Sequence, residues 1–134
     1  MNAMRISSGW ITELSPNEVF VFGSNLAGQH CNGAAKLAHQ KFGAVWGVGV
    51  GMCGQSYAIP TMQGGVSTIK PYVDEFLMFA LNHRHLTFLV TEIGCGIAGF
   101  TPRDIAPLFR IAIDRDIPNV YLPESFYNYY TMGE

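Results

Sequence analysis

Two stretches of this sequence hold most of the residues whose types and spacing could do chemistry, and they share one design. The first is Gly23-Ser-Asn-Leu-Ala-Gly-Gln-His-Cys-Asn-Gly33, and the second is Gly94-Cys-Gly-Ile-Ala-Gly-Phe100. Each joins an apolar run to a helical pattern. Small residues such as Gly23, Ser24, Gly33 and Ala34, or Gly96, Ile97, Ala98 and Gly99 with their neighbours, leave backbone amides open. A helix start adds oriented N–H groups, and together these suit a phosphate or diphosphate. No lysine stands where a P-loop needs one.

Four side chains in or beside these stretches have sharper alternatives. Asn25 either recognises a ligand or turns its own loop, a common task for asparagine. His30 could touch a phosphate or act as acid or base, or it could be a solvated loop histidine. Glu92 ends an apolar strand, where a carboxylate could bind a ribose hydroxyl or act as a general base if burial raises its pKa. It could equally take a salt bridge or an N–H at the strand end. Cys95 lies near a helix start, where thiolates are stabilised, but no histidine is paired with it by any pattern, so a small buried cysteine competes with a nucleophile.

The elements that must position these residues alternate. Glu18-Val-Phe-Val-Phe-Gly23 reads as a buried strand, and 32–43 as a helix with Ala34, Leu37, Ala38 and Phe42 on one face. A short strand is expected at 56–60 and a helix over 68–83, with Pro71 in its first turn. Leu86-Thr-Phe-Leu-Val-Thr91 is apolar enough for a sheet centre. Thr101-Pro-Arg-Asp104 is a helix start, with threonine as N-cap and an acidic residue at the third position. Asn119-Val-Tyr-Leu122 is a further strand. This alternation predicts an α/β chain, a single domain over 1–134 with a mostly parallel sheet covered on both faces.

Composition narrows the function. The chain has 134 residues, 49% hydrophobic and 13% charged, with a net charge of -2. That argues against a disordered chain and against a dedicated nucleic-acid binder. Three scattered cysteines fit a reduced, cytoplasmic protein better than a disulfide framework. The longest run of apolar residues and glycine, 42–54, is too short for a membrane span, and no signal pattern opens the chain. His83, His85 and the cysteines show no zinc-ligand spacing, so neither a metal nor a cofactor is expected. The aromatic tail 126–130 could stack on a base, pack on the sheet or promote self-association. The oligomeric state is open.

Gly94-Cys-Gly96-Ile-Ala-Gly99 matches G-x-G-x-x-G, as does 49–54. Asp114 and Asp116 lie near the distance of a ribose acid, but at a helix end before the next strand, the wrong context for a dinucleotide fold.

Taken together, Glu18-Val-Phe-Val-Phe-Gly-Ser-Asn25 with Gly33-Ala-Ala, and Ile93-Gly-Cys-Gly-Ile-Ala-Gly-Phe100, resemble the macro domain family, here a divergent member similar to short phage and bacterial chains. The resemblance implies a three-layer α/β/α module that binds ADP-ribose or a related nucleotide-diphosphate. It implies that Asn25 holds the distal ribose or orients a water near the reacting carbon, and that Glu18 stands at the adenine amine. The ligand contacts it implies are Glu18, Gly23, Ser24, Asn25, Gly33 and Ala34, then Gly94, Cys95, Gly96, Ile97, Ala98, Gly99 and Phe100. Hydrolysis of an ADP-ribosyl bond would use Asn25, His30 or Glu92. The chain departs from the family at Glu18, one methylene longer than the usual aspartate, at Phe22 in place of an asparagine, and at Ala98 in place of an aromatic. Two other readings stand beside it: a non-catalytic interaction module of phage type, and a different nucleotide- or phosphoryl-processing enzyme.

Overall fold

The computed structural model describes residues 5–132. Its strands are β1 (Ile6–Ser7), β2 (Glu18–Ser24), β3 (Gly51–Cys53), β4 (Ser56–Pro60), β5 (Thr87–Val90) and β6 (Val120–Pro123). Its helices are α1 (Gly33–Lys41), α2 (Val66–Leu81), α3 (Pro102–Asp114) and α4 (Glu124–Met132). The strands form one six-stranded sheet in the order β1-β6-β5-β2-β4-β3. Every neighbouring pair is parallel except β3 with β4, which is antiparallel. The chain is therefore α/β with a mostly parallel sheet.

Alternation along β2 shows why both faces are covered. Val19 and Val21 point into a core shared with Phe76 of α2, Phe109 of α3 and Phe126 of α4. Phe20 and Phe22 point the other way, toward Ala35 and Ala38 of α1, with Ile11 and Leu14 packed alongside. Such a strand reads as continuously apolar because neither side meets water. β5 lies between β6 and β2, at the sheet centre, as its composition predicts.

Boundaries shift by one or two residues where the helices begin and end. α2 starts at Val66, so Pro71 lies inside the helix rather than in its first turn. The α3 start behaves as its sequence predicts: the Asp104 carboxylate accepts from the Thr101 N–H at 2.9 Å and from the Thr101 hydroxyl at 3.1 Å. Three elements escape sequence reading. β1 has two residues and β3 three, both too short for any period to register. The aromatic tail is helix α4, and it packs inward. Phe126, Tyr127 and Tyr130 are buried, and the Tyr130 hydroxyl donates to the Ala106 carbonyl at 2.6 Å. Those rings are not free to stack on a base.

The register aligns Ser7 with Pro123, Val21 with Val90, and Ser24 with Pro60. The carboxyl ends of five parallel strands thus finish along one edge, where ligands of open α/β sheets sit.

Candidate functional site

A cleft of about 1170 Å³ opens along that edge. Its floor is made of strand ends whose hydroxyls, on Ser7, Ser24 and Thr91, donate to main-chain carbonyls of neighbouring segments. Ser7 Oγ donates to the Val90 carbonyl at 2.6 Å, Thr91 Oγ1 to Val21 at 2.8 Å, and Ser24 Oγ to Gly49 at 2.5 Å. Both candidate loops reach this cleft. Gly23, Ser24, Asn25, Gly33 and Ala34 line it from the first, and Glu92, Gly94, Gly96, Ile97 and Ala98 line it from the second.

The loops touch because glycine stands at their junction. A Cβ on Gly23 would lie 3.2 Å from the Gly94 nitrogen, 3.2 Å from Thr61 Oγ1 and 3.5 Å from the Ile93 Cα. Any side chain there would push the second loop away from the first. Thr61, buried beneath the junction and lining the cleft, belongs to the same contact and was not anticipated from sequence.

Open amides are present on both walls. Asn32, the residue preceding α1, places no side-chain hydrogen bond on the first turn of that helix. The N–H groups of Gly33, Ala34 and Ala35 therefore keep the partial positive charge of a helix start. Across the cleft, the N–H groups of Gly96, Ile97 and Ala98 have no partner among the described residues. The α3 start contributes nothing similar, because Asp104 caps it and Thr101 does not line the cleft.

Asn25 carries out the loop-turning task. Its Nδ2 donates to the Gln29 carbonyl at 3.1 Å, and its Oδ1 accepts from the Gln29 N–H at 2.9 Å. An amide has two donor hydrogens and two acceptor lone pairs, so capacity for one ligand contact at each atom is left. Glu92 is exposed, and its Oε2 accepts from the Ser125 hydroxyl at 2.5 Å. That bond ties the second loop to the start of α4 and fixes the carboxylate while Oε1 stays open.

Five expected site residues lie outside the cleft. Glu18 begins β2 at the opposite end of the sheet, where its Oε1 accepts from the Ser15 N–H at 2.8 Å. A strand runs about 3.3 Å per residue, so six residues separate that carboxylate from Ser24 by roughly 20 Å. His30 is 2% exposed and faces away from the cleft, into a cage with the rings of Phe22, His39 and Trp46. Its Nε2 lies 3.0 Å from the Val45 carbonyl and its Nδ1 has no partner. Facing a carbonyl, Nε2 is the donor, and His30 fastens the first loop to segment 44–48.

Cys95 turns inward, with Sγ 3.5 Å from the Ile93 carbonyl. Burial pushes its thiol from 9.0 up to about 11, with Glu92 and then Asp104 adding to the effect. The Phe100 ring packs beneath Gly94, and the Gly99 N–H closes a turn onto the Gly96 carbonyl at 3.0 Å. The aspartates near a ribose-acid distance are also elsewhere. Asp114 lies 3.7 Å from Arg110, and Asp116 lies 3.1 Å from Arg5. Among the described residues no cluster of three or more His, Cys, Asp or Glu could hold a metal ion.

Sequence reading also missed Trp10, which lines the cleft with its residue 84% exposed. Its N–H donates to Ser8 Oγ at 3.0 Å in the segment that follows β1. Recognising it required recognising β1, and two residues carry no period. With Ile97, 78% exposed, it makes the cleft mouth apolar.

The chain matches no family model, and no curated protein or solved structure shows significant similarity to it.

Proposed function

We propose that this protein is a macro-like domain that binds ADP-ribose or a related nucleotide-diphosphate in the cleft at the strand ends. One observation carries the reading. Two sets of amides without a partner among the described residues, at Gly33–Ala35 and at Gly96–Ala98, line one cavity, though 63 positions separate Gly33 from Gly96. Backbone amides and a helix start hold phosphate oxygens without any cationic side chain. The diphosphate lies between them, a ribose meets Glu92 and the free capacity of Asn25, and the base lies on the Trp10 indole. Adenine recognition through Glu18 forms no part of the proposal, because that carboxylate is at the far end of β2.

Turnover of an ADP-ribosyl bond would rest on Glu92: water would attack the anomeric carbon while the open Oε1 takes its proton, and the attached group would leave with the bonding pair and take a proton from solvent. Asn25 would position the ribose, and His30 has no part in it because its ring is sealed off from the cleft. Binding needs only what the cleft already presents.

A second reading has its own observation. Trp10, Ile97 and Met62 make an apolar mouth, and such exposed surface suits a protein partner as well as a base. Calorimetry with ADP-ribose, AMP, NAD and inorganic phosphate separates the two. Heat for ADP-ribose above that for phosphate supports the proposal. No heat for any of the four at millimolar concentration favours an interaction module, and phosphate or NAD binding without an ADP-ribose preference favours a different nucleotide enzyme.

A further inference from the structure

The charge of the cleft is opposite to what an anion site usually shows. Of the chain's 8 Lys and Arg residues none lines it, nor does any histidine, among the described residues. Among the described residues its only charged side chains are Glu92, two residues beyond β5, and Glu124, the first residue of α4 at the end of β6. Both are exposed, and Ser125 holds Glu92 in place. The amides of Gly33–Ala35 follow β2, the neighbour of β5 on its other side. The cleft therefore sets two carboxylates over β5 and β6, beside the amides of Gly96–Ala98, whereas the amides over β2 have no carboxylate beside them among the described residues that line the cleft.

We infer that Glu92 and Glu124 determine specificity by charge: they limit the anionic part of the ligand to the span of the amides. The group beyond that span must bring hydroxyl donors or positive charge. Resting on the reading above, this means that a diphosphate followed by a sugar fits, and a chain continuing into another phosphate is repelled. Like charges a few ångström apart are costly, and little counter-charge is at hand to relieve them. A sugar hydroxyl instead donates to the open Oε1 of Glu92, a charge-assisted bond.

The test is calorimetric titration of the whole protein with ADP-ribose, ADP and ATP in magnesium-free buffer, for wild type and for Glu92→Gln and Glu124→Gln. Both substitutions keep side-chain shape at exposed positions, and a thermal melt checks the fold. Wild type should bind ADP-ribose at least about tenfold tighter than ATP. Each variant should narrow that ratio by about three- to tenfold, with ATP gaining affinity and, in Glu92→Gln, ADP-ribose losing some. Wild type binding ATP as tightly as ADP-ribose would overturn the inference, as would a ratio unmoved in both variants while ADP-ribose still binds. If wild type binds none of the three, the nucleotide reading itself falls and takes the inference with it.

Discussion

Asn25 and Glu92 are both tied to neighbours, but the ties differ in kind. Asn25 closes its own loop through Gln29, so Asn25→Ala should cost about 1 kcal/mol of stability as well as affinity for ADP-ribose. A melt and a titration of the same sample would show both losses. Gly96 is the cleaner probe, because a Cβ there meets nothing within 4 Å and its φ is not positive. Gly96→Glu should leave the melting temperature within the range of an ordinary surface change, about 0.5 kcal/mol, and abolish binding by placing a carboxylate among the amides. Equal loss of fold and binding would make that glycine structural. Cys95 can be tested by its reactivity. Burial pushes its thiol up to about 11, so little thiolate forms at pH 8, whereas Cys31 is exposed. Alkylation followed by mass spectrometry should find Cys31 modified well before Cys95. Side-chain roles were the least legible part of the sequence: Asn25, His30 and Cys95 each allowed two readings. Only burial and partners decide between them: Gln29 for Asn25, the Phe22, Val45 and Trp46 surroundings for His30, and the inward turn of Cys95 onto Ile93.

At the scale of elements, the first loop is held from outside by segment 44–49. Gly28 has φ +70 and a Cβ on it would lie 2.3 Å from the Val48 nitrogen; the Gly47 N–H donates to the Gly28 carbonyl at 2.9 Å. Gly28→Ala therefore combines a left-handed backbone with a main-chain clash. It should destabilise by about 2–3 kcal/mol, read as a fall of roughly 6–12 °C in melting temperature. A change within a degree would mean that the two segments separate without cost. The long apolar elements were legible because β2 buries both faces, β5 is apolar at Phe88, Leu89 and Val90, and α3 carries its own start signal in Thr101 and Asp104. The short strands and α4 were not. Two or three residues cannot display a period, and a tyrosine-rich run has only middling helix propensity, so α4 forms where Phe126 and Tyr130 find the core.

At the scale of the whole molecule, alkaline pH acts on the core. Burial raises Tyr57 from 10.0 to about 12 and Cys95 to about 11, and it raises Tyr130 as well. Each group is held neutral by the fold. Each therefore stabilises it fully below its ordinary value of 9 or 10, and that contribution is lost as pH climbs from there through the folded value. Melts between pH 7 and 12 should show stability falling from about pH 9 upward; a flat profile would mean that these groups ionise without opening the core. The meeting of the loops is also a property of the whole. Strand order brings β5 beside β2, and nothing local in either loop encodes that neighbour.

The central claim is that both amide sets grip one ligand, and amide-resolved NMR during titration with ADP-ribose tests it most directly. The account predicts that the N–H signals of Gly33, Ala34 and Ala35 shift together with those of Gly96, Ile97 and Ala98, along one saturation curve. Shifts confined to one wall, or absent from both at millimolar ligand, would contradict it.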